Sequence, residues 1–111
     1  MGNTNQVTDP VTRRFLDSRL PDIERIFKPE HIILFGSRAT GHAKEDSDID
    51  LILVSQQFEG VRFAERIARF LKEIRSELEI EPLCYTPEEF ETLRGQVSIV
   101  AKAAREGIWI Q

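Results

Sequence analysis

Two short apolar runs, His31-Ile-Ile-Leu-Phe35 and Leu51-Ile-Leu-Val54, are joined by a segment that begins Gly36-Ser37 and ends Asp48-Ile49-Asp50. Both runs read as strands, and the connection is too short for the crossover helix that parallel neighbours require. The segment starts as a small-residue turn and ends in two carboxylates spaced two apart. A strand has period two, so Asp48 and Asp50 face the same way. Two acids on one face, entering an apolar strand, repel each other unless a cation lies between them.

The flanking sequence supplies further elements. Asp9 is placed to cap a helix with Pro10 at its first position. Val11, Phe15, Leu16, Ile23, Ile26 and Phe27 then recur at helical spacing, with Pro21 expected to kink that helix or split it in two. Val61 to Leu78 carries one apolar stripe, Phe63, Ile67, Phe70, Leu71, Ile74 and Leu78, the core face of a long helix. Glu79 to Tyr85 is a third strand, and Thr86-Pro87-Glu88-Glu89 after it is a capping box. A short helix through Leu93, another from about Val97 to Glu106, a Gly107 stop and a strand at Ile108-Trp109-Ile110 follow. The order predicts an α/β domain with a mixed sheet flanked by helices.

Composition limits the partners. A chain of 111 residues, 41% hydrophobic and 31% charged, suits one domain, 1–111, with residues 1–8 as a flexible polar tail. A net charge of −4 disfavours binding to duplex DNA, which needs clustered Lys and Arg. The lone Cys84 excludes an internal disulfide and all Cys-based zinc patterns. Its apolar neighbours place it in the core. No run approaches bilayer length and the start has no signal-peptide core, so the expected location is the cytoplasm.

The chemistry follows from the acids. Mg²⁺ prefers oxygen ligands, usually one or two carboxylates with substrate phosphates completing the shell. Two-metal phosphoryl chemistry usually calls for a third carboxylate. Glu81 is the candidate, with Glu79 the rival on the same strand face. Pro82, directly after Glu81, removes a ladder donor and points to an edge strand or a bulge. Gly36 allows close backbone approach, and Ser37 offers a hydroxyl and an N–H at the start of a short helix. Arg38 either reaches a triphosphate or pairs with a surface acid. An EF-hand is excluded because Leu51 stands where its glycine is required, and no Gly-Lys-Ser/Thr forms a Walker A loop. His31, His42 and Lys44 read as surface or structural, and Tyr85 and Trp109 as core or contact residues.

Phe35-Gly-Ser-Arg-Ala39, Gly41, Asp48-Ile-Asp-Leu51 and Tyr85-Thr-Pro-Glu-Glu-Phe90, in this order, resemble the DNA polymerase β nucleotidyltransferase superfamily. Within it the chain is similar to the minimal nucleotidyltransferases, from about residue 10 onwards. The resemblance implies a polymerase β palm-like fold, with Gly36 and Ser37 as nucleotide contacts; Arg38 beside them is a candidate nucleotide contact from its position alone. It implies two Mg²⁺ ions on Asp48, Asp50 and a third family carboxylate, which falls on Glu81 where aspartate is commoner. The implied activity is Mg²⁺-dependent transfer of AMP from ATP to a hydroxyl, with release of pyrophosphate. The partner implied by that family is a HEPN-domain toxin, modified on a tyrosine, with this chain as antitoxin in a homo- or hetero-oligomer. The alternatives are a binding-only antitoxin or assembly subunit, and an aminoglycoside-type small-molecule transferase.

Overall fold

The computed structural model describes residues 6–111. Strands β1 (His31–Phe35) and β2 (Ile49–Val54) pair antiparallel, from His31 opposite Val54 to Phe35 opposite Asp50. Strand β3 (Ile80–Tyr85) lies parallel to β2, and β4 (Ile108–Trp109) antiparallel to β1, giving the mixed order β3-β2-β1-β4.

Helices cover both faces. Helix α1 (Pro10–Phe27) is capped by Asp9, whose carboxylate accepts the Thr12 N–H at 3.0 Å and the Thr12 hydroxyl at 2.6 Å. A one-turn helix α2 (Ser37–Thr40) follows β1, and α3 (Phe63–Glu73) makes the crossover between the parallel strands. Helix α4 (Pro87–Arg94) starts in the expected capping box, and α5 (Ile99–Glu106) leads into β4. Phe15, Leu16, Ile23 and Phe27 of α1 and Phe70 of α3 pack with Ile32, Leu34, Leu51 and Leu53 on one sheet face. Phe90 of α4 with Val100 and Ala103 of α5 cover Ile33, Ile52 and Val54 on the other. Each sheet face is sealed over its middle.

Four expectations need correction. Pro21 does not split α1, because it and Asp17, four residues before, are exposed and the unpaired carbonyl there can be solvated. Helix α3 ends at Glu73, and Phe63 and Leu71 are exposed rather than part of a core stripe. A helix lying across an edge strand buries only a narrow face. Helix α5 begins at Ile99 after a Ser98 cap, leaving Val97 fully exposed. Residues 1–5 of the expected tail lie outside the described residues, but Val7 is only 1% exposed and belongs to the core. Among the described residues no helix is long and apolar enough to cross a membrane.

Candidate functional site

Strand register assembles the site. Phe35, Asp50 and Glu81 lie in one row across β1, β2 and β3. Alternation puts that row on the same sheet face as Ile33, Ile52 and Leu83, which form the next apolar row but one residue pair inward. Asp48 precedes β2 by one residue and shares the parity of Asp50. Asp50 and Glu81 therefore lie side by side at one end of the sheet, where the apolar face runs out, with Asp48 on the loop just before β2.

Asp50 and Glu81 are close enough to share a hydrogen bond. Burial, then the charge of Glu81 and its hydrogen bond, then the charge of Asp48, push the Asp50 carboxyl from 3.8 up to about 6. Glu79 lies before β3, where its carbonyl accepts the Ile49 N–H at 2.9 Å. Register thus pairs Glu81, not Glu79, with Asp50.

Pro82 is compatible with this pairing. Ladder bonds at both ends of β3 use the carbonyls of odd residues, Glu79 and Tyr85, so Pro82 turns its missing N–H toward the open edge. Strand β3 is the edge strand that its proline predicts.

Gly36 has φ +76° and caps α2. A Cβ built there would run into Oδ2 of Asp50. The space a side chain would fill is occupied by the Asp50 carboxylate, so the glycine brings the turn and the acid together. Ser37 is half-buried at the first position of α2.

Arg38 is not in the cleft as a free phosphate contact. It is 3% exposed, and its Nη1 donates to Asp9 at 3.0 Å. Nε and Nη2 donate to the Ser47 carbonyl at 3.1 and 2.8 Å, and Nη2 also to the Glu45 carbonyl at 3.1 Å. Burial opposes charge on Asp9, yet bonds from Thr12 and Arg38 hold its carboxyl below the usual range. The guanidinium ties the loop that delivers Asp48 to the start of α1. Its side chain is directed to protein groups, an acid and two loop carbonyls, as in the acid-pairing alternative.

Beside Gly36 and Asp50 opens a cleft of about 350 Å³ whose opposite wall is α5. The sequence reading left α5 out of the site. Its signal was the Gly107 stop directly before β4: a Cβ on Gly107 would meet the Leu34 carbonyl at 2.8 Å, so glycine allows the end of α5 to sit tightly on β1.

The donor set suits a hard divalent cation. A carboxyl raised by burial and by two neighbouring acids, as Asp50 is, gains from a positive ion, and all three acids supply only oxygen ligands. Among the described residues no group of three or more His, Cys, Asp or Glu side chains is placed to hold a metal ion. His31 packs tilted against Phe90 and edge-on to Trp109, with ring centroids 5.9 and 5.0 Å away, and Trp109 donates to the Ala104 carbonyl at 2.9 Å. Both are packing residues. Cys84 is buried, and burial pushes its thiol up to about 12.

The nucleotidyltransferase domain family model matches residues 16–110. The match spans β1, the Gly36 turn, all three acids and α5. A candidate nucleotidyltransferase from Sulfolobus solfataricus, known from a crystal structure, superposes with a TM-score of 0.59 at 21% identity, covering 83% of this chain and 84% of that one. At that identity the likeness concerns the fold. No curated protein matches the sequence. With its mixed four-stranded sheet and acid row, the chain belongs to the nucleotidyltransferase domain family.

Proposed function

We propose that the domain transfers AMP from ATP to a hydroxyl of an acceptor carried by a partner protein. The observation that carries this is the contact between the Gly36 turn and Asp50, which itself pairs with Glu81. A phosphate-binding turn and metal-binding carboxylates are thereby joined in one site.

Asp48, Asp50 and Glu81 would hold Mg²⁺, which when bound neutralises phosphate charge and eases deprotonation of the attacking hydroxyl. The Gly36 turn, with Ser37, orients the triphosphate. The acceptor oxygen forms a bond to the α-phosphorus as the bond from that phosphorus to the bridging oxygen breaks. Pyrophosphate leaves, and the hydroxyl proton passes to the Glu81 carboxylate or to water. Ile99, exposed at the start of α5 where it lines the cleft, with exposed Val97 two residues before it, favours a macromolecular acceptor over a small one. The partner that suits this reading is a HEPN-domain toxin modified on tyrosine, with this chain acting as antitoxin.

Incubating the protein with labelled ATP, Mg²⁺ and the candidate partner should add one AMP mass to the partner. Asp48→Ala and Asp50→Ala should each reduce transfer at least a hundredfold, by analogy with the loss of other electrostatic groups at transfer sites. Transfer retained in both variants would defeat the assignment. The lack, among the described residues, of a three-acid group placed to hold a metal ion favours one competing reading, a binding-only subunit. That reading gains if calorimetry with ATP and Mg²⁺ gives no heat.

A further inference from the structure

Bringing a triphosphate to this site adds negative charge next to three carboxylates, so a protein cation is needed beside whatever metal binds. Arg38 does not supply it, since its guanidinium is engaged by Asp9 and the loop carbonyls. Among the described residues that line the cleft, Lys102 of α5 is the only Lys or Arg.

Lys102 is exposed and makes no ion pair among the described residues. The acid one turn further on, Glu106, also lines the cleft but pairs with Arg105 at 3.8 Å. An unpaired ammonium on a long flexible stem therefore faces the same space as Gly36 and Asp50. Its helix is fixed at both ends: Ser98 caps α5 by accepting the Ala101 N–H at 3.0 Å, and Gly107 seats its other end on β1. Between them, Ala103 is buried against Ile33 and Ile52, which sets the face that α5 turns to the cleft.

We propose that Lys102 is the cation that receives the phosphate chain of the nucleotide in the cleft between α5 and the Gly36 turn. The inference rests on the nucleotide-transfer reading and adds a positioning residue to it. The bland alternative is a solvated surface charge, as most exposed lysines are.

The test is calorimetric binding of ATP with Mg²⁺, and of adenosine, to the full chain without any acceptor. Lys102→Met should weaken ATP binding roughly tenfold, the scale of one charged hydrogen bond, and leave adenosine binding unchanged. Lys102→Arg should restore most of the ATP affinity. Lys72→Met, which removes a lysine of α3 that does not line the cleft, should leave ATP binding as it is. The loss in Lys102→Met should shrink as salt is raised.

Thermal melting establishes that each variant is folded, as expected for an exposed position. If Lys102→Met binds ATP as the native chain does, or if Lys72→Met weakens binding equally, the assignment of Lys102 is overturned while nucleotide binding stands. Equal weakening toward adenosine also overturns it, by showing a packing role. A native chain that binds no ATP overturns the functional reading and this inference together.

Discussion

Gly36 meets two demands at once, a positive φ and room for the Asp50 carboxylate. Gly41 is a natural control, since it has φ +83° but nothing within 4 Å of a built Cβ. Alanine at either position costs about 1–2 kcal/mol of stability through backbone strain. Only Gly36→Ala displaces the acid as well, so it should lose at least tenfold in Mg²⁺-ATP affinity while Gly41→Ala binds normally. Melting curves and calorimetry on the two variants check this, and equal affinities would contradict it. The grouping of Gly36, Asp48 and Asp50 was legible because the motif is local and strand parity orients the acids. The pairing of Arg38 was not, because its acid lies 29 positions upstream and only the fold brings them together. A buried arginine has to find acceptors, and a short sequence window does not show which ones.

Helix α3 shows where periodicity misleads. Counting apolar positions drew a stripe through Phe63 and Leu71, but the buried residues of the helix are Arg66 and Phe70. Arg66 lies in phase with that stripe, and the signal overlooked was a charge at a core position. Its Nη1 and Nη2 donate to Glu89 at 2.6 and 3.2 Å, while Nε donates to the Val61 carbonyl at 2.7 Å and Nη1 to the Cys84 carbonyl at 3.1 Å. One side chain thus ties α3, β3 and the capping box of α4. Replacing it with methionine should cost about 2–3 kcal/mol at pH 7, since two carbonyls and a carboxylate lose donors. The hydrogen bond from Arg66, followed against burial by those from Thr86, holds the Glu89 carboxyl below 4.5. A carboxyl with a lowered folded pKa contributes stability above its unfolded value, lost as pH falls through the folded value. The gap between native and Arg66→Met melting should therefore narrow below about pH 4, without closing, because the carbonyls remain unpaired. A gap independent of pH would show that the ion pair contributes nothing.

Across the whole molecule, the fold divides the sheet into an apolar middle under helices and an acid row at one end, and the second is held by the first. The order of elements was legible from periodicity and capping, whereas the strand order was not. Two-residue β4 pairs with β1 and thereby carries α5 to the cleft, a long-range outcome that depends on Gly107 fitting against Leu34. Holding like charges together has a thermodynamic signature. Asp50, pushed up to about 6 chiefly by burial and then by Glu81 and Asp48, binds its proton more tightly folded than unfolded. Its contribution to stability is full below about pH 4 and is lost as pH rises through about 6. Asp50→Asn removes the charge with little change of shape, so it should melt higher than the native chain above pH 6 and alike near pH 4. A shift of this size corresponds to about 1–2 kcal/mol once solvent screening at a half-buried position is taken off. Under the proposed function the ionised acids hold Mg²⁺, so at pH 8 the ion should raise the melting temperature of the native chain and shift Asp50→Asn much less. Melting curves at pH 4 and 8, with and without Mg²⁺, separate the outcomes. If the variant gains nothing at pH 8 and responds to the metal as the native chain does, Asp50 is neither the strained group nor a ligand.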